Sequence, residues 1–454
     1  MLGGSLHVAL AQQPSQPPQS PVTFGLEAAA QGTTEYHAFW GLAQEFSPSS
    51  GYAKSYTWLE AYAKPFMKGE WTMSPGLSAY GGASMLGSGT LDDDLFLQGN
   101  TGRVLLEDAY LGLRATSQSG LAVDASAGAQ PYKLGQGLLL SVGAGNGFER
   151  GAAILSPRRA WEMTGIARAS LHGFTVEAFY LDANELKSGD TGTKLAGGRF
   201  EWASRPDSAL GAAYFKVLSS SAPYPKAPLV IIDSGRDGLE SVDLYWRYEA
   251  SAGPLAGFSF LGEAAFQRND RIDMKAHGFG AEIGYRFGKL PFSPRISYSP
   301  RVFSGDDPGT SSLERFDSLF YDGAPDTWSS GGNGSFAFYN SNLVIHRIRL
   351  DLIISERDFV NLSYWNVHAE QANSPVQYGQ AARLKITDSG PVLVTGFPER
   401  ALSQEFYLEH TRVLSQHFFL TWGVAAAIPQ SGVKALVSDA KTWWGGFVNV
   451  TCRF

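Results

Sequence analysis

The chain of 454 residues contains one cysteine, Cys452, so no internal disulfide can hold it together. It also lacks any run of about 18 apolar residues, which excludes a membrane protein built on helices. Charge is sparse, at 17% Asp, Glu, Lys and Arg with a net charge of -7, and no basic block occurs, so no nucleic-acid partner is expected. Recognisable catalytic spacing is missing too. The histidines are scattered, and neither a G-x-S-x-G nor an H-E-x-x-H pattern occurs. Ser403 and His410 share one strand-like segment but have opposite parity, which separates them. The expectation is a protein that is not an enzyme.

What the chain does have is glycine, 52 residues, aromatic content of 13%, and polar/apolar alternation almost throughout. The last segment shows the pattern plainly. Thr442, Trp444, Val448, Val450, Cys452 and Phe454 share one face, while Asn449, Thr451 and Arg453 share the other. A period of two with one apolar face suits a strand that has lipid on one side and water on the other. The terminal Phe454 is similar to the signal read by outer-membrane assembly machinery. Such segments span 22–31, 54–65, 69–85, 104–115, 120–129, 162–170, 173–182, 194–204, 208–217, 239–250, 255–267, 274–287, 293–302, 345–355, 358–369, 400–413, 416–427 and 441–454.

The connections alternate between short turns, such as Phe66-Met67-Lys68, Leu171-His172 and Leu414-Ser415, and long segments, such as 130–161, 303–344 and 370–399. Short periplasmic turns and long extracellular loops are the asymmetry of an outer-membrane barrel. The sequence therefore predicts an all-β fold, a transmembrane antiparallel up-and-down β-barrel of about 18 strands, with 16 as the alternative count, in the bacterial outer membrane. Residues 1–11 read as the remnant of a signal peptide, with a small-residue Ala9-x-Ala11 site, or as a leader. Residues 12–21 read as a flexible N-terminus and 22–454 as the barrel.

If apolar parity faces lipid, the charges point inward, since Arg or Lys at the lipid midplane costs about 2–4 kcal/mol. The expected lumen-facing cations are Lys64, Arg114, Arg168, Arg199, Lys216, Arg247, Arg286, Arg295, Arg301, Arg347, Arg349 and Arg412. Beside them fall Asp108, Asp243, Glu282 and Asp351, together with Glu60, Glu177, Glu201, Glu249, Glu263, Glu405 and Glu409. Cross-strand ion pairs that stiffen the wall are one reading. A ladder for anions is the other, because guanidinium binds carboxylates bidentately and rings of basic residues select anions.

Loop 130–161 carries Lys133, Arg150, Arg158 and Arg159 and could enter the lumen or lie on the surface. Loop 303–344 carries Asp306, Asp307, Asp322 and Asp326, and Asp92-Asp93-Asp94 lie in another loop. No cofactor is expected, Ca²⁺ on the extracellular loops being the alternative to solvated carboxylates or a face toward lipopolysaccharide. Trp40, Trp58, Trp71, Trp202, Trp246, Trp422 and Trp444 fit interfacial girdles.

Residues 104–182 resemble the alginate-export family of outer-membrane porins. The likeness runs through Leu106-Glu107-Asp108-Ala109-Tyr110-Leu111-Gly112-Leu113, Lys133-Leu134-Gly135-Gln136-Gly137, Ser156-Pro157-Arg158-Arg159-Ala160-Trp161 and Gly173-Phe174-Thr175-Val176-Glu177-Ala178-Phe179-Tyr180. Where that family has Gly-Arg-Gln, this chain has Gly128-Ala129-Gln130, one basic group fewer. The resemblance implies eighteen strands, an Arg-rich lumen and loops folded over the mouth. The expected activity is passive transport of an anionic solute, an acidic uronate-type polysaccharide or oligosaccharide. The alternatives are a general or small-carboxylate diffusion porin and a structural or lipid-modifying barrel. Expected partners are outer-membrane lipid and lipopolysaccharide, the anionic saccharide or carboxylate, and a periplasmic export complex.

Overall fold

The computed structural model describes residues 21–144, 151–155, 157–205, 207–322, 329–376 and 381–454, so residues 1–20, Arg150, Asp326 and Trp328 lie outside the described residues. In chain order the strands are β1 (Val22–Tyr36), β2 (Ser55–Ser74), β3 (Leu77–Leu91), β4 (Thr101–Thr116), β5 (Ala122–Pro131), β6 (Ala160–Leu171), β7 (Phe174–Asp182), β8 (Lys194–Arg205), β9 (Ser208–Ser219), β10 (Tyr224–Lys226) and β11 (Val230–Ile232). They continue with β12 (Glu240–Glu249), β13 (Phe258–Asn269), β14 (Met274–Arg286), β15 (Arg295–Phe303), β16 (Leu343–Ile353), β17 (Asp358–Ala369), β18 (Arg383–Thr387), β19 (Gly390–Val394), β20 (Ala401–Val413), β21 (Phe418–Pro429) and β22 (Trp443–Arg453). Eighteen of these form one antiparallel sheet, and β10–β11 and β18–β19 are separate hairpins within long loops.

The sheet closes because β1 pairs with β2 on one edge and β22 on the other. Phe454 takes part in the seam, with Phe454 N donating to Leu26 O at 2.9 Å and Leu26 N to Phe454 O at 3.1 Å. Closure leaves no unpaired edge, which a strand crossing lipid requires. The outer face exposes Leu111, Val176, Phe200, Leu210, Ile283, Ile348, Phe406 and Val448. An apolar belt outside and charge inside is the signature of a membrane-spanning barrel.

The packed core lies inside the barrel. Leu134, Leu138, Leu139 and Leu140 of the β5–β6 loop are fully buried, and they join one cluster with Trp40, Trp58, Trp161, Phe316, Phe338 and Trp443. Each such side chain removed from water stabilises the inserted loops by about 1.5–3 kcal/mol. The inserted loops therefore form a packed domain within the wall. Trp40 and Trp58 belong to it and are not girdle residues, whereas Trp71, Trp202 and Trp444 are exposed on the outer face.

The first hairpin differs from the sequence expectation. Strand β2 runs through Phe66-Met67-Lys68 to Ser74, and the turn falls at Pro75-Gly76. The ladder to β3 continues through this stretch, with Phe66 opposite Ser84, Met67 opposite Ala83 and Lys68 opposite Gly82, so residues 66–68 provide no stop even though burial no longer alternates there. Gly76 has φ +78, and a Cβ there would sit 2.5 Å from Thr116 O, so the turn requires glycine.

Candidate functional site: the charged lumen

Side-chain alternation carries most of the expected charges inward, but the structure corrects two of them. Lys216 shares the outer face of β9 with Leu210 and Tyr214 and pairs with Glu240 at 2.9 Å. Arg412 shares the outer face of β20 with Phe406, Leu408 and His410 and pairs with Asp358 at 3.4 Å. Both stand near strand ends, where a long side chain reaches the polar interface without crossing hydrocarbon. Ser403 is buried on the inner face of β20 and His410 points outward, as their opposite parity requires. Two further inward cations lie toward the periplasmic end. Arg247 is exposed there, and Arg286 donates to Ser293 O at 2.8 Å in the turn after β14.

Of the remaining expected cations, all but Lys64 gather in two groups. On one wall, register places Arg114, Asp124, Arg168, Glu177 and Arg199 side by side on the consecutive strands β4 to β8. Signs alternate along this row. Arg114 Nε meets Asp124 at 3.1 Å, Arg168 Nε meets Glu177 at 2.7 Å, and Arg199 Nε meets Glu177 at 2.9 Å. Tyr132 donates to Glu177 at 2.9 Å and Tyr245 to Glu201 at 2.8 Å, so this wall is largely satisfied within itself. Asp124 was missing from the sequence expectation, although its parity on β5 carried the signal.

On the opposite wall, β14 to β16 bring Glu282, Arg295, Arg301, Arg347, Arg349 and Asp351 together. Glu282 accepts from Arg347 at 2.6 Å and Arg295 at 2.7 Å, while Asp351 accepts from Arg349 at 2.7 Å and lies 3.5 Å from Arg295. Among the described residues this group counts four guanidiniums against two carboxylates, an excess of positive charge. Arg301 and Arg347 are buried, and Arg301 donates to Ser329 O, so the members facing water are Arg295 and Arg349.

Most other inward acids hold loops. Glu60 accepts the backbone N–H groups of Ala153, Ile154 and Leu155 at 3.0, 2.8 and 2.7 Å. Glu263 accepts from Gln136 N at 2.8 Å, and Glu405 from Gly334 N at 3.1 Å. A register irregularity between β3 and β4 lets adjacent Glu107 and Asp108 both turn inward. Glu107 takes the N–H groups of Arg159 and Ala160 at 2.7 and 3.0 Å, and Asp108 pairs with Lys64 at 2.9 Å. Asp243 is buried near Glu263 and belongs to the wall. The described parts of loop 130–161 thus lie across the lumen, and Arg158 is fixed by Asn184 O at 2.8 Å and Asn184 Oδ1 at 2.9 Å.

Asp317, in the loop between β15 and β16, ties that loop to the β9–β12 connection. It accepts from Tyr224 at 2.5 Å and from Arg236 Nε at 2.8 Å. Burial pushes its carboxyl up, but the Arg236 guanidinium and the surrounding donors outweigh burial and hold it below its ordinary value. Asp306 accepts from Ala227 N at 2.6 Å and Glu314 N at 2.8 Å, which makes it a loop brace, and Asp94 accepts from Phe96 N at 2.8 Å. Among the described residues, no three side chains of metal-ligating type gather.

No protein-family model matches the chain, and no curated protein matches it significantly. Solved structures do. The outer-membrane protein OpdK of Pseudomonas aeruginosa superposes with a TM-score of 0.57 at 10% identity, covering 95% of this chain and 98% of that one. A second structure, OpdK with vanillate, gives 0.56 at 10% identity over the same shares. OccAB1 of Acinetobacter baumannii gives 0.55 at 11% identity, covering 95% of this chain and 97% of that one. The closed eighteen-stranded barrel of this chain is thus the fold of solved outer-membrane proteins.

Proposed function

We propose that the barrel is a porin through which small anionic solutes, carboxylates above all, diffuse across the outer membrane. The observation that carries this reading is the net positive group on β14 to β16, facing a lumen that inserted loops have narrowed. Guanidinium recognises carboxylate bidentately, and partly neutralised cations keep that attraction weak enough for release. OpdK has been solved with vanillate, an aromatic carboxylate, on the same fold, which supports a small solute.

An acidic polysaccharide is the second reading. It rests on the resemblance of residues 104–182 to alginate-export porins and would bring a periplasmic export partner with it. The loops anchored on Glu60, Glu263 and Glu405 favour the small solute, since a polymer needs a continuous open bore. Single-channel recording under a salt gradient, with benzoate or uronate oligosaccharides added, tests both. Anion preference with block by benzoate supports the first reading, block by oligosaccharides alone supports the second, and a channel without anion preference sinks both.

A further inference from the structure

We propose that Lys133 and Arg159 form a carboxylate seat on the loop that crosses the lumen, and that in the empty channel this seat is occupied by the chain's own Asp322. The inference rests on the anion-passage reading and adds a binding site to it. Lys133 lies just after β5 and Arg159 just before β6, so the two cations stand at the two ends of one loop. Asp322 belongs to the loop between β15 and β16 and reaches them from the other side.

The contacts have the geometry that a solute carboxylate would adopt. Lys133 Nζ lies 2.9 Å from Asp322 Oδ2, and Arg159 Nη1 lies 3.5 Å from Asp322 Oδ1, so each oxygen meets a different cation. Exposure is lopsided, with the Lys133 and Arg159 side chains 43% and 42% exposed and Asp322 only 5%. The carboxylate sits behind, and the cations face water. A pair with its cations this exposed is weak, so an incoming anion can compete for them.

The side-chain pair is not what joins the two loops. The backbones of the two loops are joined independently, with Asp322 N donating to Gly137 O at 2.8 Å, Phe320 N to Leu139 O at 2.9 Å and Ser141 N to Phe320 O at 2.8 Å. Gly137, at φ +86, allows the close approach. A Cβ there would meet Lys133 Cε at 2.9 Å and Asp322 Cβ at 3.0 Å. A tethered carboxylate competes at a high effective concentration, which weakens solute binding and keeps transit fast.

The test is the half-blocking concentration of benzoate in single-channel recordings, with heat-modifiable mobility on gels confirming that each variant is folded. Asp322→Asn should lower that concentration by roughly tenfold, the scale on which a tethered competitor acts. Adding Lys133→Gln and Arg159→Gln should abolish the gain, and Asp322→Glu should restore near wild-type block. If wild type prefers anions but Asp322→Asn leaves the block unchanged, the seat is refuted while the porin reading stands. If wild type shows no anion preference, the porin reading falls. The seat then survives only if Asp322→Asn still tightens benzoate binding, and it falls as well if it does not.

Discussion

Replacing Arg295 and Arg349 together by Gln should reduce anion preference sharply, and the expected size follows from the wall itself. The group on β14 to β16 holds four guanidiniums and two carboxylates, and these two arginines are the cations that face water. Among the described residues, their removal leaves Arg301 and Arg347 against Glu282 and Asp351, two charges of each sign. At about 7 Å in a water-like dielectric, each lost charge forfeits about 0.6 kcal/mol of attraction for a passing anion. Both together amount to about 1.2 kcal/mol, roughly a sevenfold fall in anion occupancy. A lower effective dielectric in the narrowed lumen raises this figure, and salt screening lowers it. Reversal potential in a planar bilayer under a salt gradient reads the change, and low ionic strength enlarges it. Lys216→Gln is the control, because Lys216 is as basic but stands on the lipid face. An unchanged reversal potential in the double variant, or an equal shift in the control, would refute the reasoning.

Glu60→Ala should loosen the crossing loop, since it leaves three backbone N–H groups without their acceptor at about 1–3 kcal/mol each. Increased current noise and faster proteolysis within 132–159 are the expected signs. The Asp317 latch should weaken only in strong acid. Its carboxyl titrates below its ordinary value of 3.8, so its contribution is intact at neutral pH and is lost as pH falls through the depressed value. Hydrogen exchange in the β15–β16 loop should therefore stay slow down to about pH 4 and rise below it, and Asp317→Asn should remove that dependence. Gly76→Ala should destabilise the first hairpin by about 1 kcal/mol or more and slow barrel assembly, as measured by the rate at which the heat-resistant form appears.

Strand number and most of the inner and outer faces were legible in the sequence, because the side-chain period of two is local and lipid on one face enforces it. Arg347 and Arg349 alternate with Ile348 and Leu350 on β16, and that arrangement needs no knowledge of neighbouring strands. Parity was least informative at strand ends, where Lys216 and Arg412 escape the rule because the polar interface tolerates charge. The two inward acids Glu107 and Asp108 break alternation at a register irregularity that a period cannot foresee.

Only the tertiary structure decided what the inward groups do. Whether Glu60, Glu263 and Glu405 recognise solute or hold loops depends on which backbone N–H groups arrive from residues far away in the chain. No local pattern encodes that arrival. The same holds for Trp40 and Trp58, which pack under inserted loops, and for Asp322, which meets Lys133 across 189 positions of sequence. The barrel follows from the chemistry of two solvents acting on each strand, whereas the narrowed lumen follows from long-range packing and the need of buried N–H groups for acceptors.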